Sequence, residues 1–208
     1  MNSSRQAYQP RYRHWAEALA AALVEDDFYI TLKATVARAG HDDPELALVH
    51  YLDYSMLEAE RYGRLHFPPD HAYGVCVWST PVTAEVASER ARYKKDFLLN
   101  HLGADYTAVY SNVVEFMSAQ SDARIAADDW YLSIVGILPE FQNRGFGGAL
   151  LCNALAETDR LGVATYLETF TPRNEAFYER LGYRVTARFE EPTIGASYAL
   201  MHRPCAAT

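Results

Sequence analysis

The sequence is short of the residues that build several familiar kinds of site. It has three cysteines, Cys76, Cys152 and Cys205, odd in number and far apart. No C-x-x-C pair and no Cys/His ligand spacing occurs, which argues against a disulfide framework or a zinc centre. Reduced thiols in a cytoplasmic protein are expected instead. The seven histidines show no metal-ligand spacing either, so no metal is expected. His66, His71 and His101 read as ordinary surface groups. No apolar run approaches the roughly 18 residues of a membrane span, so no membrane partner is expected. The alanine-rich stretch from Ala16 to Val24 is interrupted by Glu17 and followed by Glu25-Asp26-Asp27, which reads as a helix and not as a leader. No G-x-S-x-G elbow supports a serine nucleophile. Positive charge is also scarce: 19 Lys and Arg against 27 Asp and Glu give a formal net charge of −8. That balance argues against nucleic-acid phosphate as a partner and suits a cationic ligand.

What is present is ample apolar material: 50% of 208 residues, enough for one sizeable core. No repeat or low-complexity linker divides the chain, so residues 1–208 are expected to form one domain. The first ten residues are polar and are expected to be loose. Trp15, Leu19, Leu23 and Val24 recur at helical spacing. A second helix is predicted from Asp27 to Ala39. A third follows Pro44, with Leu46, Val49, Leu52, Met56 and Leu57 on one face and Gly63 at its end. Leu65–Phe67, a Pro68-Pro69-Asp70 turn and Tyr73–Ser79 read as a hairpin. Val82–His101 and Ala104–Ala119 are two more predicted helices, rich in tyrosine and charge, and candidates for a lid.

The C-terminal half has the sharper pattern. Trp130–Leu138 is apolar on both faces, as in a buried central strand. A glycine-rich turn then opens a helix with Leu150, Leu151, Ala154, Leu155 and Leu161 on its inner side, ended by Gly162. Ala164–Phe170 is a strand. A short helix begins at Thr171-Pro172, with proline in its favoured first position, and ends at Leu181-Gly182. Strands near Tyr183–Phe189 and Ser197–His202 close the chain. The order implies a mixed α/β sheet.

The turn reads Gln142-Asn143-Arg144-Gly145-Phe146-Gly147-Gly148. A helix start exposes N–H groups without internal acceptors, and its dipole adds partial positive charge there, which together favour an anion such as a pyrophosphate. No Lys-Ser/Thr follows, so this is not a Walker loop, and G-x-G-x-x-G is incomplete. On its own the loop is equally readable as a plain structural turn.

Gln142-x-x-Gly145-x-Gly147, preceded by Val135-Gly136-Ile137-Leu138-Pro139, resembles motif A of the GNAT acetyltransferases. Leu167-Glu168-Thr169, Asn174 and Phe177–Tyr183 resemble motif B of the same superfamily, in the right order. Within it, the run from Leu167 to Tyr183 most resembles the puromycin N-acetyltransferase group, while the first 125 residues share only its layout. Asn143 stands where that superfamily usually has glycine; asparagine tolerates the left-handed conformation better than other side chains.

The resemblance implies a GNAT-like α/β (α+β) fold, a splayed central sheet with helices on both faces. Residues 1–125 would form the acceptor-site half and 126–203 the acetyl-CoA-binding half. The backbone of Val135 and Ile137 would pair with the pantetheine arm of acetyl-CoA, the acetyl donor. The N–H groups of Gln142, Asn143, Arg144, Gly145, Phe146, Gly147 and Gly148 would cradle the pyrophosphate, and Asn174 would lie against the pantetheine. The implied reaction is N-acetyl transfer to a primary amine of a small molecule by direct attack in a ternary complex. A protein lysine or N-terminal acetyltransferase and a non-catalytic CoA-binding sensor are the alternatives. The protein is expected as a monomer or homodimer.

Such a reaction needs a neutral amine, and an alkylamine of pKa ~10.4 is roughly one part in a thousand neutral at pH 7. Glu168, inside an otherwise apolar strand, must be paired, hydrated or functional. It is the candidate base, and a structural carboxylate or an anchor for the substrate ammonium is the other reading. Tyr178 is protonated at neutral pH and is able to donate. It reads as a packed aromatic or, by the resemblance, as the acid beside the leaving sulfur. Asp26-Asp27 precede a helix and read as its cap, or as a wall of the acceptor site.

Overall fold

The computed structural model describes residues 8–40, 43–68 and 73–205. The Pro69-Asp70 part of the expected turn, His71 and the first seven residues lie outside them. Three helices come first: α1 (Arg13–Ala22), α2 (Asp27–Arg38) and α3 (Pro44–Tyr62). Strands β1 (Gly63–His66) and β2 (Gly74–Ser79) and helices α4 (Ala84–His101) and α5 (Ala104–Asp122) follow. The C-terminal half supplies β3 (Trp130–Ile137), α6 (Phe146–Leu161), β4 (Thr165–Thr169), α7 (Pro172–Arg180), β5 (Arg184–Glu191) and β6 (Ala196–Arg203). The helix starts are chemically marked: Asp26, Asp43 and Thr83 accept from backbone N–H groups in the first turns of α2, α3 and α4, the expected work of such residues.

The six strands form one sheet in the order β1-β2-β3-β4-β6-β5. Only β3 and β4 run parallel. Strands of one face alternate with the other, and both faces are covered. Val75, Val77 and Ile134 join the core made with α1, α2, α3 and α5. Cys76, Trp78, Trp130, Leu132 and Leu167 join the core beneath α6 and α7. The expected mixed sheet with helices on both sides is thus what the chain builds.

Two even-numbered residues of β3, Leu132 and Ile134, point to opposite cores, which a regular strand forbids. The register explains it: Leu132 pairs with Trp78 and Ile134 with Val77, leaving Ser133 as an extra residue. This bulge is pinned by the Ser133 hydroxyl, which donates to the Val77 carbonyl at 3.0 Å.

β3 and β4 pair only at Trp130 with Thr165 and Tyr131 with Tyr166. Beyond Tyr131 the strands part, opening the sheet between them. Several expected core positions fall outside: Leu161, the last residue of α6, is 46% exposed, and Val24, in the turn after α1 ends at Ala22, is 56% exposed. Leu46, in the first turn of α3, is also exposed. His66 is not a plain surface group; its side chain is only 19% exposed and lies 3.6 Å from Glu157, and burial lowers its pKa. His101 stays exposed but packs its ring against Phe97.

Gly63 joins α3 to β1 under tight restraint. A β-carbon there would lie 2.0 Å from the Trp78 carbonyl oxygen, which is backbone and has no rotamer to escape by. Gly63→Ala is expected to destabilise the protein by about 1–3 kcal/mol, the usual range for overpacking, as read by denaturant unfolding. An unchanged midpoint would show that the two strands slide apart freely here.

Candidate active site

Where β3 ends, a short 3-10 turn (Pro139–Phe141) leads into the glycine loop and α6. Asn143 has φ +58° and Gly145 φ +85°, so the loop uses the left-handed region twice, once at the asparagine. Gln142 holds the loop to the strand, its side-chain amide donating to the Ile137 carbonyl at 2.9 Å. The first bond of α6 runs from the Ala149 N–H to the Gly145 carbonyl, so the N–H groups of Phe146, Gly147 and Gly148 have no acceptor within the helix. A β-carbon at Gly145 or Gly148 would meet nothing within 4 Å. The Phe146 ring packs on Tyr73, and Arg144 lies over the Phe141 and Phe146 rings.

Gly147 is different. A β-carbon there would come within 3.2 Å of the Phe177 ring and 3.6 Å of Ile137. This glycine lets α6 approach α7, and so sets the distance between the loop and the helix carrying Tyr178.

The backbone at the open edge of β3 follows from its other edge. The Leu138 N–H donates to the Tyr73 carbonyl at 2.8 Å. Along an antiparallel strand alternate residues bond to the same neighbour, so Leu138 and Gly136 turn to the β2 side. Val135 and Ile137 therefore turn their N–H and C=O groups toward the gap before β4. The Ile137 carbonyl meets Gln142 there.

The gap continues into a cavity of about 600 Å³ whose wall includes Val135, Glu168, Asn174, Tyr178 and Asp26. The loop residues Gln142 to Gly148 do not line this cavity; they lie beyond it, past the end of β3. Six tyrosines face it: Tyr29, Tyr51, Tyr110, Tyr131, Tyr166 and Tyr178. Helices α4 and α5 form its side wall, with Lys94 and Tyr110 on it. Among the described residues no group of three or more His, Cys, Asp and Glu could hold a metal.

Glu168 projects from β4 into this space. Its Oε2 accepts from the Tyr131 hydroxyl at 3.1 Å, and its Oε1 is buried with no hydrogen-bond partner. Burial raises its pKa to about 7; the Tyr131 bond opposes the rise and the charge of Asp122 adds to it. Tyr131 is itself held by stacking on Tyr166, ring centroids 4.8 Å apart. Tyr131 escaped the sequence reading. Its place two residues before the bulge, where β3 and β4 last pair, is not marked by any motif.

Tyr178, on α7, is 7% exposed and packs edge-on against Phe177 and Tyr183. Burial drives its pKa well above the ordinary phenol value, so it is fully protonated at any physiological pH. Its ring is in the core, and its hydroxyl makes no hydrogen bond to the described protein. Cys76, in the same buried cluster, is held as a thiol by burial and is not poised as a nucleophile.

Asp26 does two things. Its Oδ1 accepts from the Phe28 N–H at 3.0 Å, capping α2, and it also lines the cavity. Burial raises its pKa to about 6.

The model of the acetyltransferase (GNAT) domain matches residues 104–185. That span contains β3, the glycine loop, Glu168, Asn174 and Tyr178. The whole architecture also resembles solved acetyltransferase structures in fold. A histone acetyltransferase HPA2 and related acetyltransferase from Corynebacterium glutamicum superposes with a TM-score of 0.60 at 20% identity, covering 97% of this chain and 95% of that one. Arylalkylamine N-acetyltransferase 2 from Aedes aegypti gives 0.62 at 12% identity, covering 97% and 98%. At these identities the likeness is one of fold.

Proposed function

We propose that this protein is an acetyl-CoA-dependent N-acetyltransferase whose acceptor is the primary amine of a small molecule. One observation carries the reading. A gap in the sheet runs from a glycine loop with free N–H groups toward a cavity lined by the Glu168 carboxylate and the buried phenol of Tyr178. That arrangement fits a long anionic donor at one end and an amine at the other.

The residues fit acetyl-CoA in a specific way. The N–H groups of Phe146, Gly147 and Gly148, with those of Asn143 to Gly145, would hold the pyrophosphate; the Gln142 N–H is already given to the Pro139 carbonyl at 3.2 Å. Val135 and the Ile137 N–H would bond the pantetheine as an added strand does, with Asn174 on its other side. The group supplies an activated acetyl thioester. Glu168 accepts the proton that the bound amine must lose, so that the neutral amine attacks the thioester carbonyl. Tyr178 donates a hydrogen bond to the departing thiolate. The attack is direct, since the one cysteine packed near Tyr178 is a buried thiol.

The small-molecule acceptor is favoured over a protein lysine or N-terminus because the cavity is walled by six tyrosines and covered by α4 and α5. Arylalkylamine N-acetyltransferases share this fold, in keeping with a small amine. The C-terminal run that resembles the puromycin N-acetyltransferase group supports the same reading. A CoA-binding sensor would need neither Glu168 with its raised pKa nor Tyr178 with a free hydroxyl.

The test is thiol release from acetyl-CoA with a panel of primary amines, beside calorimetry of acetyl-CoA. Binding with no turnover for any amine or peptide would favour the sensor. Gly147→Val is expected to weaken acetyl-CoA binding at least tenfold, about 1.4 kcal/mol, because its side chain pushes α6 off Phe177 and misaligns the loop. Unchanged affinity in a variant with native circular dichroism would reject the loop as the phosphate cradle.

A further inference from the structure

The wall of the cavity on α3 and α4 carries charges that the acetyl-transfer chemistry does not use. Glu58, Arg90 and Lys94 meet there. Glu58 Oε2 accepts from Arg90 Nη2 at 3.1 Å and from Lys94 Nζ at 3.2 Å. Two cations thus share a single carboxylate oxygen, leaving one positive charge in excess at this wall. The side chains of Glu58 and Lys94 are only 8% and 10% exposed, so the excess is poorly screened.

Arg90 holds the unused hydrogen-bonding capacity of this group. Arg90 Nη2 also donates to the Ser79 hydroxyl at 2.8 Å. These are its only partners among the described residues, so the Nε and Nη1 N–H groups have no protein acceptor. Lys94 Nζ donates to Ser55 and Glu58 and lies over the rings of Tyr51, Tyr54 and Tyr110, 4.9–5.9 Å from their centroids. The aromatic cage at this end is therefore already filled by a cation. A second cavity, of about 510 Å³ between α4 and α5, shares Glu58, Arg90, Lys94 and Tyr110 with the first. Arg90 stands at the boundary of two open spaces.

The main cavity also carries carboxylates. Asp122, Asp129 and Glu168 act electrostatically on Tyr166, with Arg90 acting on it in the opposite sense, and Asp26 lines the same cavity. Asp129 is paired with His202 at 3.0 Å. An ammonium group is repelled from the α4 wall by Arg90 and Lys94 and attracted to Glu168. An anionic group is repelled from the carboxylates and attracted to Arg90.

We infer that the acceptor is an amino-carboxylate: its amine lies at Glu168 and its carboxylate is bound by the spare donors of Arg90, with Lys94 reinforcing the charge. This rests on the acetyltransferase reading above and specifies its substrate class. A guanidinium with adjacent free N–H groups matches the two oxygens of a carboxylate, and such charge-assisted pairs are the strong ones. Arg90 is a specificity residue here, binding the carboxylate and not the reacting amine.

The experiment compares matched acceptors: 4-(aminomethyl)benzoate with 4-(aminomethyl)benzamide, and 6-aminohexanoate with 6-aminohexanamide. Thiol release gives kcat/KM for each. Wild-type protein is expected to favour each carboxylate over its neutral amide at least tenfold. Arg90→Gln is expected to bring that ratio to within about twofold, with acetyl-CoA affinity by calorimetry unchanged, and Arg90→Lys to keep an intermediate ratio. Melting curves confirm that both variants are folded. Equal turnover of acid and amide by the wild type, or a ratio that survives in Arg90→Gln, overturns the inference while leaving the acetyltransferase reading standing. Acetyl-CoA that binds but is turned over with neither member of a pair also overturns it. Absence of acetyl-CoA binding brings down the function itself, and this inference with it.

Discussion

Tyr178→Phe is expected to lower kcat by about 10²-fold or more while the fold and the affinity for acetyl-CoA survive. The substitution removes one atom. The ring of Tyr178 is part of the core beneath α6 and α7, and phenylalanine keeps that packing. Nothing in the described protein loses a hydrogen bond, because the hydroxyl has no partner there. What disappears is a hydrogen-bond donor on a residue that lines the cavity.

The size of the effect follows from what the hydroxyl does. A thiol of pKa about 8.5 leaves as a thiolate, and negative charge then develops in a buried place. Removing one preorganised donor to such a charge typically costs about 10²–10³ in kcat, and general acid catalysis contributes a similar 10²–10⁴. The buried phenol has its pKa raised above the ordinary value. Complete proton transfer to the thiolate would therefore run uphill, so Tyr178 acts mainly by donating a hydrogen bond. KM for acetyl-CoA is expected to change much less than kcat. An equal loss in kcat and in CoA affinity would mean that the hydroxyl positions the donor instead. Near-wild-type turnover, with chemistry shown to limit the rate by single-turnover kinetics, would leave Tyr178 as core packing alone.

The parts of this site that were legible in the sequence are those set by local rules. The loop announces itself because glycines at a helix start need left-handed backbone, and Asn143 takes that conformation where a glycine is usual. Glu168 stands out because a carboxylate in an apolar strand is conspicuous, and Tyr178 because of its motif. The parting of β3 and β4 was expected from resemblance and is present. The rest depends on tertiary placement. Ser133 looks like any strand residue, yet as a bulge it sends Ile134 and Leu132 to opposite cores. Gly147 reads in the sequence as one more loop glycine, and only the fold shows that its missing side chain makes room for Phe177. Glu58, Arg90 and Lys94 sit on helices whose charges run round every face, so no periodicity marks the three that turn inward. Tyr131 becomes informative only when β4 is laid beside it.

The second large effect is expected at Glu168, and it has a pH signature. Burial raises this carboxyl to about 7 from the ordinary 4.5, which places it near the pKa best suited to a base at neutral pH. Only the deprotonated form accepts the amine proton. In wild-type protein kcat/KM should therefore be low at pH 6, rise through about pH 7, and continue upward more gently as more free amine becomes neutral. Glu168→Gln keeps the shape and an acceptor for the Tyr131 hydroxyl, but it has no titrating base. Its rate should fall by about 10²-fold at pH 8, and the inflection near pH 7 should vanish, leaving only the dependence on the amine. Stability should move the other way. A carboxyl whose folded pKa is raised contributes fully below its unfolded pKa and loses that contribution as pH climbs through the folded value. The wild type should therefore lose stability between about pH 4.5 and 7 relative to Glu168→Gln, and the variant should melt no lower than the wild type at pH 8. A structural carboxylate would behave differently: Glu168→Gln would then melt lower at pH 8 and retain the wild-type rate profile. A substrate anchor would raise KM for the amine and spare kcat at saturation. The three readings of this one residue thus separate on two measurements, a pH–rate profile and a melting curve at two pH values.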